Sequence, residues 1–110
     1  MRFLFGLITL VLALPTQAAE TPLMYTIRFP EAANHYAHID LKVTDVSKSE
    51  IEFMMPVWTP GSYLVREFGR HIDQISAKDG AGKVLEIKKT RKNRWTVSTN
   101  GADTVVVSYR

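Results

Sequence analysis

The chain has 110 residues, 45% of them hydrophobic and 23% charged, so it can form one small globular domain and no more. Its formal net charge of +3 is too small to indicate a nucleic-acid partner by itself. Because the chain contains no cysteine, disulfides, a thiol nucleophile and a thiolate metal site are excluded.

The first 18 residues have the organisation of an export signal. Arg2 supplies the positive start, residues 3–14 form an apolar run, and Ala18 ends a stretch of small residues suited to signal peptidase. The apolar run of about 12 residues is shorter than the ~20 that a spanning helix needs, although an N-terminal membrane anchor is the alternative. We predict a cleaved signal peptide over residues 1–18 and a domain over residues 19–110. The product would be periplasmic or secreted, without membrane contact after cleavage.

Most of the remaining sequence alternates between apolar and polar residues, which is the period of a β-strand with one buried face. In residues 25–29, for example, Tyr25, Ile27 and Phe29 share a face. Glycine, asparagine and aspartate mark turns at residues 79–82 and 100–103, and no later segment has the pattern of an amphipathic helix. We predict an all-β fold, an antiparallel β-sandwich of about seven to eight short strands. The predicted strands cover residues 25–29, 36–43, 50–57, 71–77, 84–89, 94–98 and 104–110.

No pattern in the sequence is typical of a catalytic or metal site. His35 and His38 are three residues apart, a spacing that places them on opposite faces of a strand, and there is no HExxH motif. Ser62 lacks the flanking glycines of a nucleophile elbow. We therefore predict no catalytic residue and no metal ligand. The six cations of residues 83–94 are interpreted as a solvated strand face rather than a nucleic-acid site.

The segment Thr59-Pro60-Gly61-Ser62 predicts a type II turn, because proline presets its first central position and glycine accepts positive φ at the second. One interpretation is a turn packed between its flanking aromatic residues, with solvated charges around it. The other is a loop that presents aromatic and arginine side chains to a ligand or a neighbouring domain. The candidate interface or substrate-cleft residues are Trp58, Thr59, Pro60, Gly61, Ser62, Tyr63, Arg66, Glu67 and Arg70.

The sequence MPVWTPGSY at residues 55–63, followed by Arg66-Glu67-Phe68 and Arg70, resembles the N-terminal domain of the bacterial glycyl-aminopeptidase family of zinc metallopeptidases. In that family a β domain precedes a catalytic domain with an HExxH motif and then a PDZ domain. The resemblance extends from about residue 25 to the end of the chain. It implies a non-catalytic N-terminal β domain that packs on the catalytic domain of the parent peptidase and shapes the substrate cleft.

The resemblance also implies that zinc belongs to the parent catalytic domain and that this chain carries no cofactor. No catalytic or metal residue of the family has a matching position here, so the chain alone is predicted to be inactive. Its expected partners are the parent catalytic domain and a peptide substrate, and no nucleic acid. Because Arg110 lies within an alternating apolar run, we expect a truncated reading frame or a fragment. The alternative is a stand-alone secreted β-sandwich that binds peptide or protein partners.

Overall fold

A computed structural model describes residues 22–110, so the predicted signal peptide lies outside the described residues. The described part contains eight strands and two short 3-10 helices, Ala32–Asn34 and Phe68–His71, but no α-helix. The strands are β1 Leu23–Arg28, β2 His38–Val43, β3 Glu50–Met54, β4 Ser76–Asp79, β5 Val84–Leu85, β6 Ile87–Arg91, β7 Arg94–Ser98 and β8 Val105–Tyr109. None of the helices described there is long and apolar enough to cross a membrane.

The strands form two sheets in which every pair is antiparallel. One sheet has five strands in the order β1-β2-β8-β4-β5, and the other has three in the order β3-β7-β6. Inward-facing side chains from both sheets meet in a shared core, as is typical of a β-sandwich. The predicted all-β antiparallel sandwich is thus confirmed, with eight strands.

Two predicted strands differ from the structure. Residues 71–77 do not form one strand, because Phe68–His71 is a 3-10 helix and Gln74 has a φ of +51°, so β4 begins only at Ser76. Residues 84–89 are divided between two sheets: Leu85 pairs with β4, whereas Ile87 pairs with β7. Periodicity could not reveal this crossing, because both residues face the same core from different sheets.

The buried core lies toward one side of the sandwich. Its central cluster of buried residues comes from β4, β5, β7 and β8 and consists of Ala77, Leu85, Val97, Val105 and Val107. β1 contributes none of them. The predicted buried face of residues 25–29 is wrong: Tyr25, Ile27 and Phe29 are 57–66% exposed, because the three-stranded sheet does not extend over β1.

The long connection between β3 and β4 is held against the turn between β6 and β7. At its start, Met55 donates its N–H to the Asn93 carbonyl (2.9 Å), and the Asn93 side-chain amide donates to the Met55 carbonyl (3.0 Å). Further along, Gly69 is buried so closely against this turn that an added Cβ would lie 2.8 Å from the Lys92 carbonyl oxygen. The connection is therefore fastened at two points that flank residues 57–66.

On the outer face of the five-stranded sheet, Asp40 joins three strands. It accepts hydrogen bonds from the Ser108 hydroxyl (2.6 Å) on β8 and from the Arg28 guanidinium (2.9 Å) on β1. The Ser108 hydrogen bond lowers the pKa of Asp40 most; partial burial opposes it, and the bond and charge of Arg28 add to the lowering.

We expect Gly69→Ala to lower the free energy of unfolding by about 1–3 kcal/mol, because the new methyl group must displace backbone rather than a flexible side chain. Denaturant unfolding followed by tryptophan fluorescence measures this. Lys92→Met, which removes only an exposed ion pair from the same turn, is the control and should have little effect. An unchanged unfolding midpoint for Gly69→Ala would show that the contact is loose.

We expect Ser108→Ala to raise the pKa of Asp40 toward its ordinary value, as measured by carboxyl NMR titration. A lowered carboxyl pKa stabilises the fold above the unfolded-state pKa, and this stability is lost as the pH falls through the folded-state pKa. Ser108→Ala should therefore lower the free energy of unfolding above the unfolded-state pKa of Asp40, and should change it little below the folded-state pKa. Ser76→Ala, on neighbouring β4, should leave the Asp40 titration unchanged; an equal shift in both variants would contradict this assignment.

Candidate functional site

The predicted turn at residues 59–62 is present. The Ser62 N–H donates to the Thr59 carbonyl (3.0 Å), and Gly61 has a φ of +85°. This closing hydrogen bond and the positive φ at the second central residue are the features expected of a type II turn. Pro60 occupies the first central position, where its fixed φ favours the same geometry.

The turn is the tip of a longer loop, residues 57–66, which we call the signature loop. Its base is closed by a hydrogen bond from the Arg66 N–H to the Val57 carbonyl (2.6 Å). Since the connection is also fastened beyond both ends of the loop, its tip projects from a well-defined base. A loop held in this way on a rigid sheet can present side chains for recognition.

The signature loop exposes a group of apolar side chains, which we call the apolar tip. These residues are 51–89% exposed, with Tyr63 the most exposed at 89%, and they are Trp58, Tyr63, Leu64 and Val65. Tyr63 therefore does not pack over the turn, and the interpretation of the segment as a turn enclosed by aromatic side chains does not hold. A cluster of large exposed apolar residues is a common feature of interaction surfaces.

The sequence analysis missed Leu64 and Val65 as members of this surface. The available signal was the run Tyr63-Leu64-Val65, in which three apolar residues follow one another directly after a turn instead of alternating. Neither face of a strand could bury all three. Such a run next to a glycine turn indicates an exposed apolar surface.

The three charged candidates have different environments. Glu67 accepts a hydrogen bond from the Lys92 ammonium (3.1 Å), and that bond together with the positive charges of Lys92 and Arg70 holds the pKa of Glu67 below its ordinary value. Glu67 is thus linked to the turn between β6 and β7 by an exposed ion pair. The guanidinium groups of Arg66 and Arg70 are exposed and make no hydrogen bond or ion pair within residues 22–110. They remain available to a ligand.

Residues 22–110 do not provide the ligands of a zinc site. No three histidine, aspartate or glutamate side chains lie close enough to hold a metal ion among residues 22–110. His35 and His71 are exposed, and His38 is half-buried with its Nε2 3.8 Å from Glu31. Within the turn, Ser62 forms a hydrogen bond through its backbone N–H. In the described part of the chain its side chain forms no hydrogen bond to a histidine or carboxylate.

Comparison with solved structures finds a similar fold in a much longer protein. The chain is similar to the crystal structure of an aminopeptidase N family protein from Idiomarina loihiensis, with a TM-score of 0.72 and 31% sequence identity. The match covers 80% of this chain and 14% of that chain, so this chain spans a small part of the relative's length. A comparison with curated proteins gave no significant match.

The match to a protein family covers most of the described residues. Residues 24–110 match the family model of the Peptidase M61 N-terminal domain. This range includes both sheets of the sandwich and the signature loop with its apolar tip. The chain therefore belongs to the Peptidase M61 N-terminal domain family.

Proposed function

We propose that the chain is the non-catalytic N-terminal β domain of an exported, glycyl-aminopeptidase-like zinc metallopeptidase. The domain packs on the catalytic domain through the signature loop and shapes the wall of the substrate cleft. The observation that carries this proposal is the apolar tip, which is exposed in the described part of the chain although its base is fastened on both sides.

The composition of the tip is suited to a protein interface. Aromatic and arginine side chains contribute most to binding energy at such surfaces, and here Trp58 and Tyr63 belong to the same loop as Arg66. Burial of the tip against a neighbouring domain would remove exposed apolar area from water. The exposed guanidinium groups of Arg66 and Arg70 can donate hydrogen bonds to carboxylates of the catalytic domain or of a peptide substrate.

The hydrolytic chemistry would come entirely from the catalytic domain. In that domain zinc would supply a Lewis acid and an activated water, whereas residues 22–110 offer it no ligand set. The β domain acts by position: it holds the loop at the cleft and excludes water from one wall. The signal-like sequence of residues 1–18 supports the proposal that the protein is exported.

A stand-alone secreted binding module is the second candidate. The same exposed tip favours it, because the surface could bind a peptide or protein without any covalent connection to a peptidase. The two candidates differ in whether substitutions in the loop change catalysis by a longer polypeptide.

We expect Trp58→Ala and Arg66→Ala to reduce aminopeptidase kcat/KM by about tenfold when introduced into a peptidase polypeptide that carries this domain. Loss of one central aromatic or arginine contact commonly costs about 1–2 kcal/mol. Lys78→Ala, an exposed change on β4 away from the loop, is the matched control and should retain activity. Equal losses for all three variants would argue against a cleft role.

The 110-residue chain alone should not hydrolyse aminoacyl substrates, with or without added zinc, because it holds no metal site in its described residues. Release of a chromogenic leaving group from a glycyl substrate measures this directly. A full-length family member serves as the positive control. Turnover by the purified chain that a chelator abolishes would refute the proposal.

A further inference from the structure

The inner face of β1 is apolar but has no layer above it. Leu23, Tyr25 and Ile27 pair with Val43, Leu41 and Ile39 of β2, and residues directly opposite on an antiparallel pair share a face. Leu41 and Val43 are buried in the sandwich, whereas their partners on β1 are more than half exposed. The five-stranded sheet therefore extends one strand farther than the three-stranded sheet covers.

The three-stranded sheet has a free edge at this same side. Met55 donates its N–H to Asn93, and Ser49 accepts from Thr99, so the odd-numbered residues of β3 point their backbone groups toward β7. In an extended strand the even-numbered residues then point the other way. The N–H and C=O groups of Glu50, Glu52 and Met54 face outward and have no backbone partner within residues 22–110.

An apolar cleft joins these two features. It has a volume of about 380 Å³ and lies between the sheets, with Tyr25 and Leu41 on one side and Phe53 on the other. Ile72 and Tyr109 form part of its lining. A strand placed beside β3 would lie roughly 4.8 Å from it, directly above the uncovered face of β1.

We propose that this cleft is a strand-acceptor site, which takes one extended segment along the free edge of β3. The segment would direct alternate apolar side chains onto β1 and its other side chains outward, beside Glu50 and Glu52. Glu52 is already paired with Arg94 of β7, so lysine or arginine at the outward position beside Glu50 supplies the charge match. Pro56, which has no N–H, limits the acceptor edge to residues 50–54.

Two other arrangements fit less well. A strand added to the free edge of β1 would extend the uncovered sheet and leave the cleft open. Pairing of β3 with β3 of a second copy, centred on Glu52 or on Ile51, would place glutamate directly opposite glutamate, which is unfavourable. A segment of alternating basic and apolar residues, paired with β3 of a single domain, covers the cleft and places no glutamate opposite another.

We assign the segment to the peptidase polypeptide itself, outside residues 1–110. This assignment rests on the proposed function. The solved relative is consistent with this source, because this chain matches only 14% of that protein's length and the remaining length is ample for another strand. A strand supplied by the same polypeptide needs no separate association step, which makes weak edge pairing effective.

The acceptor site can be tested on the full chain with a nine-residue peptide of alternating lysine and valine, blocked at both ends. Hydrogen exchange followed by NMR should show at least tenfold slower exchange at Glu50, Glu52 and Met54. Amides of Ile51 and Phe53, which already face β7, should change little. A peptide with glutamate in place of lysine is the control for charge and should bind more weakly.

Three variants make the test specific. Met54→Pro removes an outward N–H without touching the backbone ladder to β7 or the Glu52–Arg94 ion pair, and should weaken peptide binding at least tenfold. Lys89→Pro, at an outward N–H on the opposite edge strand β6, is the matched control and should not. Glu50→Lys should reverse the preference between the two peptides by about two- to fivefold, an effect that simple destabilisation cannot produce.

Protection of Leu23, Tyr25 and Ile27 in place of the β3 amides would overturn the site, as would absence of protection in a folded chain. Protection of the β3 amides that increases with protein concentration in the absence of peptide would show that a second copy occupies the edge. This result would overturn the assignment of the segment to the same polypeptide. In a full-length family member the equivalent β3 amides should be protected without peptide. If they exchange freely while loop variants still lose activity, the strand proposal fails and the proposed function stands.

Discussion

The contact between β7 and the central strands of the five-stranded sheet is the interaction on which the structure depends. Val97 of β7 is fully buried with Val105 and Val107 of β8, and this small apolar cluster holds the two sheets together. Dense packing of branched side chains makes such a cluster stiff. The turn that follows β6 is part of the same rigid unit, so anything fastened to that turn inherits a fixed position relative to the core.

The signature loop is fastened there. Asn93 binds the backbone of Met55, and Gly69 lies against the Lys92 carbonyl, so the connection between β3 and β4 is held before and after the loop. The apolar tip then costs little conformational entropy to dock, because its base is already ordered. This division between an ordered base and an exposed tip is consistent with the proposed role in domain packing.

The unequal width of the two sheets explains why the domain presents more than one incomplete surface. The core is complete where β6 and β7 cover β4, β5 and β8, and it is open where β3 ends and β1 continues. An apolar face and an unpaired strand edge beside it call for the same solution, an additional strand. The apolar tip and the proposed strand-acceptor site are distinct surfaces.

The sequence by itself determined the all-β class, most strand positions, the 59–62 turn and the resemblance to a peptidase domain. These depend on local alternation, on glycine and proline at defined positions, and on one unusual motif. Only the tertiary structure decided that residues 84–89 cross between sheets, that β1 lacks a cover, and that Glu67 binds Lys92 while Tyr63 stands exposed. The physical reason is that alternation shows which side chains share a face, whereas burial depends on whether another sheet lies opposite that face.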